Sequence, residues 1–272
     1  MNVRGRLIGF DQPRVMGILN VTPDSFYADS RAQTDDEIAQ RARRLMAEGA
    51  DIIDIGACST RPGSAPVGQD EEMKRLRSAL GIVRRELPEA IISVDTFRSD
   101  VARMCVEELG ADMINDVGAP ADVNPPHPMS RQHARQMASL GVPYVLMSSA
   151  SCLRDMLLGF AADVQLLRDM GARDIIVDPG FGFGKTLAQN YQLMGELEKL
   201  RVLQLPLLVG ISRKSMIYRL FDSTPDEALN GTTVLNTIAL TKGASILRVH
   251  DVKEAVECCK ITSQFSPLTS HP

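Results

Sequence analysis

Charged and amide side chains stand where the apolar runs of this chain stop. Taken in order they are Asn20, Asp95, Asn115, Asp178, then Ser212, Arg213, Lys214 and Ser215, and finally Arg248 with His250. Thr60 and Arg61 lie in a loop between the first two, and Met147 ends a run that carries no polar terminus. Left buried without partners, such groups would each cost about 1–3 kcal/mol. A stable protein keeps this many only where water or a ligand satisfies them. Asp95, Asn115 and Asp178 form an acceptor-rich set that suits an amino-oxo heterocycle with adjacent N–H and NH₂ donors. Arg61, Lys214, Arg248 and His250 form a cationic set suited to a phosphate or diphosphate. Asn20 can lend a carbonyl oxygen to a Mg²⁺ that rides on phosphates, where the ion takes few protein ligands. The bland alternative is a buried network in which the cations pair with Asp95 and Asp178. It is the weaker account, because desolvating such a network seldom stabilises a fold.

The stretch 174–186 shows how the chain delivers one of these groups. Ile175, Ile176 and Val177 stop at Asp178, and Pro179 with three alternating glycines follows. This reads as a buried parallel strand presenting an acid at a sheet edge, beside a loop whose glycines let backbone approach a ligand closely. The Gly184-Lys185-Thr186 ending is not a phosphate-binding loop. Such a loop needs glycine five positions before the Gly-Lys pair, and Pro179 there has no N–H to offer. A dinucleotide fingerprint counted from Gly180 fails as well, because Lys185 stands in place of the third glycine.

The elements that must position these groups repeat. Apolar strands at 15–20, 51–55, 91–94, 113–114, 144–147, 175–177, 207–209 and 245–249 are each followed by a helical pattern. The helices are expected near 35–48, 70–86, 98–109, 130–140, 153–170, 189–200, 215–221 with 226–242, and 252–263, the first capped by Thr34 or Asp35. Gly49, Gly110, Gly141, Gly171 and Gly243 stand where helices must stop. Eight strand-then-helix units predict an α/β fold, a closed (β/α)₈ TIM barrel in a single domain, with an open sheet carrying an extra strand as runner-up. Residues 1–14 read as a strand or hairpin at the barrel floor, 15–264 as the barrel, and 265–272 as a polar tail without regular structure.

Bulk properties agree and exclude other classes. The 272 residues are 44% hydrophobic and 24% charged, which gives a barrel-sized chain with a sizeable core. A net charge of −4 and the absence of tryptophan argue against nucleic acid as a partner. No apolar run reaches the roughly 20 residues that span a bilayer, so no membrane partner is expected. Five cysteines form no C-x-x-C pair, and no secretory segment opens the chain. These features point to a reducing cytoplasm.

Seven segments together resemble the dihydropteroate synthase family. They are Asn20-Val21-Thr22-Pro23-Asp24-Ser25-Phe26, Gly56-Ala57-Cys58-Ser59-Thr60-Arg61-Pro62-Gly63, Ser93-Val94-Asp95-Thr96, Asn115-Asp116-Val117, Asp178-Pro179-Gly180-Phe181-Gly182-Phe183-Gly184-Lys185, Ser212-Arg213-Lys214-Ser215 and Arg248-Val249-His250-Asp251. The likeness covers nearly the whole chain, in order. One departure stands out: the family usually carries histidine after the methionine of the fifth strand, whereas Met147 is followed by Ser148 and Ser149.

The resemblance implies condensation of p-aminobenzoate with 6-hydroxymethyl-7,8-dihydropterin diphosphate, giving 7,8-dihydropteroate and diphosphate. It further implies that Asp95, Asn115, Asp178 and Lys214 hold the pterin edge, with Met147 lining that pocket. Arg248 would lie against the ring and reach the diphosphate, Asn20 would carry Mg²⁺, and His250 and Arg61 would grip the leaving group. Phe26, Thr60, Pro62, Phe183 and Ser215 would surround p-aminobenzoate. Asp95, Lys214 and Arg248 would be the catalytic set. The long loops at 23–34 and 57–69 would close over the site, sulfonamides would compete with p-aminobenzoate, and a homodimer would form through outer helices. Because the arylamine itself attacks, Cys58 need not be catalytic. A pterin-binding methyltransferase and a non-catalytic pterin-binding barrel are the alternatives. The first would not need the cations around Arg61, Lys214 and Arg248, and the second draws its support from Ser148.

Overall fold

A computed structural model describes residues 1–22, 34–58, 67–118 and 129–264. A short antiparallel hairpin, β1 (Asn2–Val3) with β2 (Arg6–Leu7), precedes the barrel. The barrel strands are β3 (Arg14–Asn20), β4 (Ile52–Gly56), β5 (Ile91–Asp95), β6 (Met113–Asp116), β7 (Tyr144–Met147), β8 (Ile175–Asp178), β9 (Leu208–Val209) and β10 (Ile246–Val249). All pair in parallel, in the order β8-β7-β6-β5-β4-β3-β10-β9. A bridge between Val177 and Leu207 joins the two ends, so the sheet closes on itself as the eightfold alternation predicts. Each strand is followed by helix: α1 (Asp35–Ala47), α2 (Gln69–Glu86), α3 (Ser99–Glu107), α4 (Arg131–Ser139), α5 (Leu153–Asp169), α6 (Leu187–Gly195), α7 (Ser215–Tyr218) with α8 (Leu229–Thr241), and α9 (Val252–Ser263). Covered by helices outside and side chains inside, β4, β6, β7 and β8 are buried at every residue, which is why they are predominantly apolar.

The barrel interior has two storeys. Met16, Ile52, Met113, Val145, Ile176, Leu208 and Ile246 form an apolar cluster, with Met1, Phe10 and Ile91 packed against it. Side chains two residues apart on a strand share a face. The next inward positions after Ile52, Ile91, Met113, Ile176 and Ile246 are therefore Asp54, Ser93, Asn115, Asp178 and Arg248. An apolar lower storey thus carries a polar upper one. The hairpin is tied beneath the lower storey: Asn2 N donates to Asp174 Oδ2 at 3.0 Å, and Arg4 pairs with buried Asp112 at 2.6 Å.

Local signals place the helices. Thr34 caps α1 in a reciprocal box with Glu37, and Thr186 does the same for α6 with Gln189. Three expectations need correction. The helix at 189–200 is two pieces, α6 and a tighter 3₁₀ segment Leu197–Leu203, because α6 ends at Gly195. The helix at 215–221 is α7 followed by a 3₁₀ turn Arg219–Phe221. The one at 226–242 begins with a separate 3₁₀ turn, Pro225–Glu227. Several strands also run one or two residues past their apolar runs, so Asp95, Asp116 and Asp178 are themselves strand residues. The tail at 265–272 and most of the loops at 23–34 and 57–69 lie outside the described residues.

Candidate active site

The carboxyl ends of β4, β5, β6 and β10 meet in one knot. Arg248 reaches inward from β10, its Nε donating to Asp54 Oδ2 at 2.6 Å and its Nη2 to Asp95 Oδ2 at 2.7 Å. Asn115 Nδ2 donates to the same Asp54 oxygen at 3.0 Å. Burial opposes the charge of Arg248, but Asp54 and Asp95 outweigh it and hold the guanidinium above its ordinary range. Asp95 is pushed up to about 7, because burial together with Asp54, Glu72 and Asp116 overcomes the pull of Arg248. Asp54 is fully buried and stands within β4, not at the end of an apolar run, so position in the run does not mark it. The available signal was an acid inside an otherwise apolar strand, in register with the inward face.

The second half of the rim is built on β8 and the loop after it. Asp178 Oδ1 accepts from Gly180 N at 2.8 Å. Burial raises the Asp178 carboxyl, while Lys214, the Gly180 amide and Arg248 work against that rise. Lys214 donates to the Phe181 carbonyl, and its ammonium stands 4.5 Å from the centre of the Phe183 ring. Lys185 donates to the carbonyls of Gly180 at 2.9 Å, Ser148 at 3.2 Å and Phe183 at 3.4 Å. Both lysines are lowered to about 8, chiefly by burial, with Asp178 opposing. The glycines of this loop therefore have a role besides letting a ligand near. Gly180 holds φ +63°, and a Cβ there would lie 2.3 Å from the Ser148 carbonyl oxygen. It lets two loops of the protein touch.

Met147 is buried at the end of β7, its thioether against Gly180 and its methyl against Gly118. Ser148, the departure from the family pattern, is spent locally. Its N–H donates to the Asp178 carbonyl at 2.9 Å, its hydroxyl accepts from Ala150 N at 3.2 Å, and its carbonyl holds Lys185.

The anion side differs from a simple row of cations. His250 is lowered to about 3 by burial and by Arg248, Arg213, Arg41 and Lys214, so it is neutral and cannot be counted as a cation. Its backbone N–H donates to Ser212 Oγ at 3.1 Å, and that hydroxyl lies 3.0 Å from Nδ1. The Ser212 hydroxyl can give its proton to Nδ1 while accepting from the backbone, an arrangement that would put the ring proton on Nε2. Arg213 is also not a ligand-facing cation. It makes a two-pronged pair with Asp251 at 2.8 and 2.9 Å and donates to the carbonyls of Pro225 and Asp226. Ser215 opens α7 immediately after Lys214. Asn20 ends β3 beside Gly56: the point a Gly56 Cβ would occupy is 3.2 Å from Asn20 Oδ1 and 3.8 Å from Asp95 Oδ2. Cys58 is pushed up to about 12 by burial and by Glu72, so its thiol stays protonated and is no nucleophile. Phe26, Thr60, Arg61 and Pro62 lie outside the described residues.

Electrostatics join the two halves, since Arg248 and Lys214 each interact with both Asp95 and Asp178. One end of the barrel thus carries buried acceptors beside two partly buried cations and a neutral imidazole. The family of pterin binding enzymes matches residues 16–250. Dihydropteroate synthase of Escherichia coli strain K12 is 37% identical over 274 residues, covering 95% of this chain and 93% of that one. The chain belongs to the dihydropteroate synthase family. It is a transferase of the pterin-methyl group in folate biosynthesis. The Bacillus subtilis strain 168 dihydropteroate synthase is 38% identical, over 91% of this chain and 86% of its own. Solved structures agree. Yersinia pestis dihydropteroate synthase in a sulfonamide drug complex matches with TM-score 0.86 at 35% identity, over 97% of both chains. The Coxiella burnetii enzyme in complex with pteroic acid matches with TM-score 0.85 at 33% identity, over 96% of both.

Proposed function

We propose that the pterin of 6-hydroxymethyl-7,8-dihydropterin diphosphate sits in this mouth with its N–H and NH₂ edge toward Asn115 and Asp178. Lys214 donates to its acceptors, Met147 lines the pocket, and Arg248, fixed by Asp54 and Asp95, lies along the ring. What supports this reading is that Asp95, Asn115 and Asp178 stand at the carboxyl ends of three strands, at the same end of the barrel, and that Lys214, in the loop after a fourth, interacts with both Asp95 and Asp178. Arg248, His250 through Nε2–H, and Arg61 bind the diphosphate. Phe183, Ser215, Phe26, Thr60 and Pro62 form the p-aminobenzoate wall, where a sulfonamide competes.

Reaction is a substitution at the pterin methylene. The C–O bond breaks with its electron pair leaving on diphosphate, and the arylamine nitrogen forms the C–N bond and loses a proton to solvent. Arg248 and His250 donate to oxygens whose charge grows as the bond breaks, which lowers the barrier. Ionised Asp95 steadies the cationic methylene. Lys214 holds the ring in register, so no side-chain nucleophile is needed. Among the described residues no group of three or more His, Cys, Asp or Glu side chains could hold a metal ion. The side-chain oxygens of Asn20 and Asp95 nevertheless both lie close to Gly56. That donor set fits a Mg²⁺ carried mainly by substrate phosphates, with Asn20 Oδ1 as protein ligand and the ion neutralising diphosphate charge. No helix among the described residues is long and apolar enough to cross a membrane. Exposed Leu220, Phe221, Val234 and Ile261 on the outer helices support a homodimer.

The test is incubation with pterin diphosphate, Mg²⁺ and labelled p-aminobenzoate. Labelled pteroate is expected, and Lys214→Ala should lower turnover about 10²–10³-fold. Near-normal kinetics in that variant would place the pocket elsewhere.

A further inference from the structure

Three buried polar atoms inside the barrel have no partner among the described residues: Asp54 Oδ1, Ser93 Oγ and Asn115 Oδ1. They lie on three neighbouring strands, with Asp54 level with Ser93 across one ladder and Asn115 level with Asp95 across the next. Buried polar atoms of this kind are rare in folded proteins and mark places where another molecule completes the bonding. Asn115 is the informative member. An ionised carboxylate only accepts, whereas an amide has one accepting and one donating end. With Asp54 already bound to Arg248 Nε, the Asn115 amide can meet it only through its NH₂. Its carbonyl oxygen is then turned the other way. Any other orientation would set two acceptors against each other in a buried space.

We infer that Asp54 is a specificity-determining positioning residue. It fixes the Asn115 amide so that this strand offers an acceptor, and thereby requires a hydrogen-bond donor on the heterocycle edge that the strand reads. The inference rests on the pterin reading of the site given above. Asp54 does not touch the reacting atoms, and it acts through Asn115 and, separately, by anchoring Arg248. A pterin presents donors along its 2-amino edge, whereas a 2-oxo analogue, a lumazine, presents a carbonyl there. The device selects the first and rejects the second.

Replacing Asp54 by Asn removes the constraint, since the new amide can donate to the Asn115 carbonyl and let the amide turn over. The experiment is calorimetric titration of 6-hydroxymethylpterin and the matching lumazine into the unmodified protein, Asp54→Asn, Asn115→Leu and the double variant. The unmodified protein should prefer the pterin. Asp54→Asn should reduce the ratio of the two affinities at least about tenfold, a change of about 1.4 kcal/mol. In the Asn115→Leu background the same change should leave the ratio unaltered. Equal loss of both affinities in Asp54→Asn would overturn the inference, reducing Asp54 to an anchor for Arg248, while leaving the pterin reading intact. Failure of the unmodified protein to bind pterin would take down both. Should Asp54→Asn not fold, the unmodified protein decides alone. In its ¹⁵N-labelled pterin complex, the Asn115 NH₂ protons should show proximity to Asp54 and Arg248 and none to pterin protons. Proximity to pterin would overturn the inference.

Discussion

Asp95 and Lys214 interact with one another, and their titrations are shifted toward each other. The carboxyl of Asp95 is raised to about 7, and the ammonium of Lys214 is lowered to about 8. The useful forms are the carboxylate, which exists above its titration, and the ammonium, which exists below its own. Activity should therefore rise with pH through about 7 and fall through about 8, leaving a narrow maximum. Asp95→Asn should abolish the lower limb of kcat/KM against pH and keep the upper one, which steady-state kinetics from pH 5.5 to 9.5 would show. A lower limb that survives the substitution would assign it to another group. His250, at about 3, contributes no break in this range. At this scale the sequence was legible where a polar residue ended an apolar run, as with Asp95, Asn115 and Asp178. It was silent on Asp54, whose role depends on which way its strand faces. Nor does composition reveal that His250 is neutral and Arg213 is spent on Asp251, since both depend on burial and on neighbours remote in the chain.

The loop after β8 is held against the loop after β7 by backbone contact and by Lys185. Gly180 makes that approach possible. An alanine there would carry a side chain at positive φ and meet the Ser148 carbonyl, a combination that costs more than about 1 kcal/mol. Gly180→Ala should lower the melting temperature by several degrees, at about 2–4 °C per kcal/mol for a chain this long. Amide exchange at 180–186 should quicken by more than the global change. Unaltered exchange in that segment would mean the contact does not order it. Strict strand–helix alternation made the barrel readable from spacing alone. The 3₁₀ pieces at Leu197–Leu203 and Pro225–Glu227 were not readable, because residue type does not separate a 3₁₀ turn from the first or last turn of an α-helix. Ser148 shows the same limit: its hydroxyl serves a turn at Ala150, a use fixed by geometry.

Across the whole molecule, buried charge at one end of the barrel is set on a dry cluster at the other. Ile52 is fully buried in that lower cluster, two residues from Asp54 on the same strand face. Ile52→Ala should cost about 2–5 kcal/mol of stability, measured by chemical denaturation, with the KM for pterin diphosphate little changed under conditions where the variant is folded. A large change in KM at full folding would show that the storeys are not independent.

Two residues of strand, about 6–7 Å, separate the chemistry of this barrel from its foundation. Swapping Asn115 or Asp178 for other inward side chains would alter which small molecule is welcome without touching the hydrocarbon plug below. The same scaffold is thus open to new guests, provided each replacement comes with a mate for the charge or amide it leaves behind.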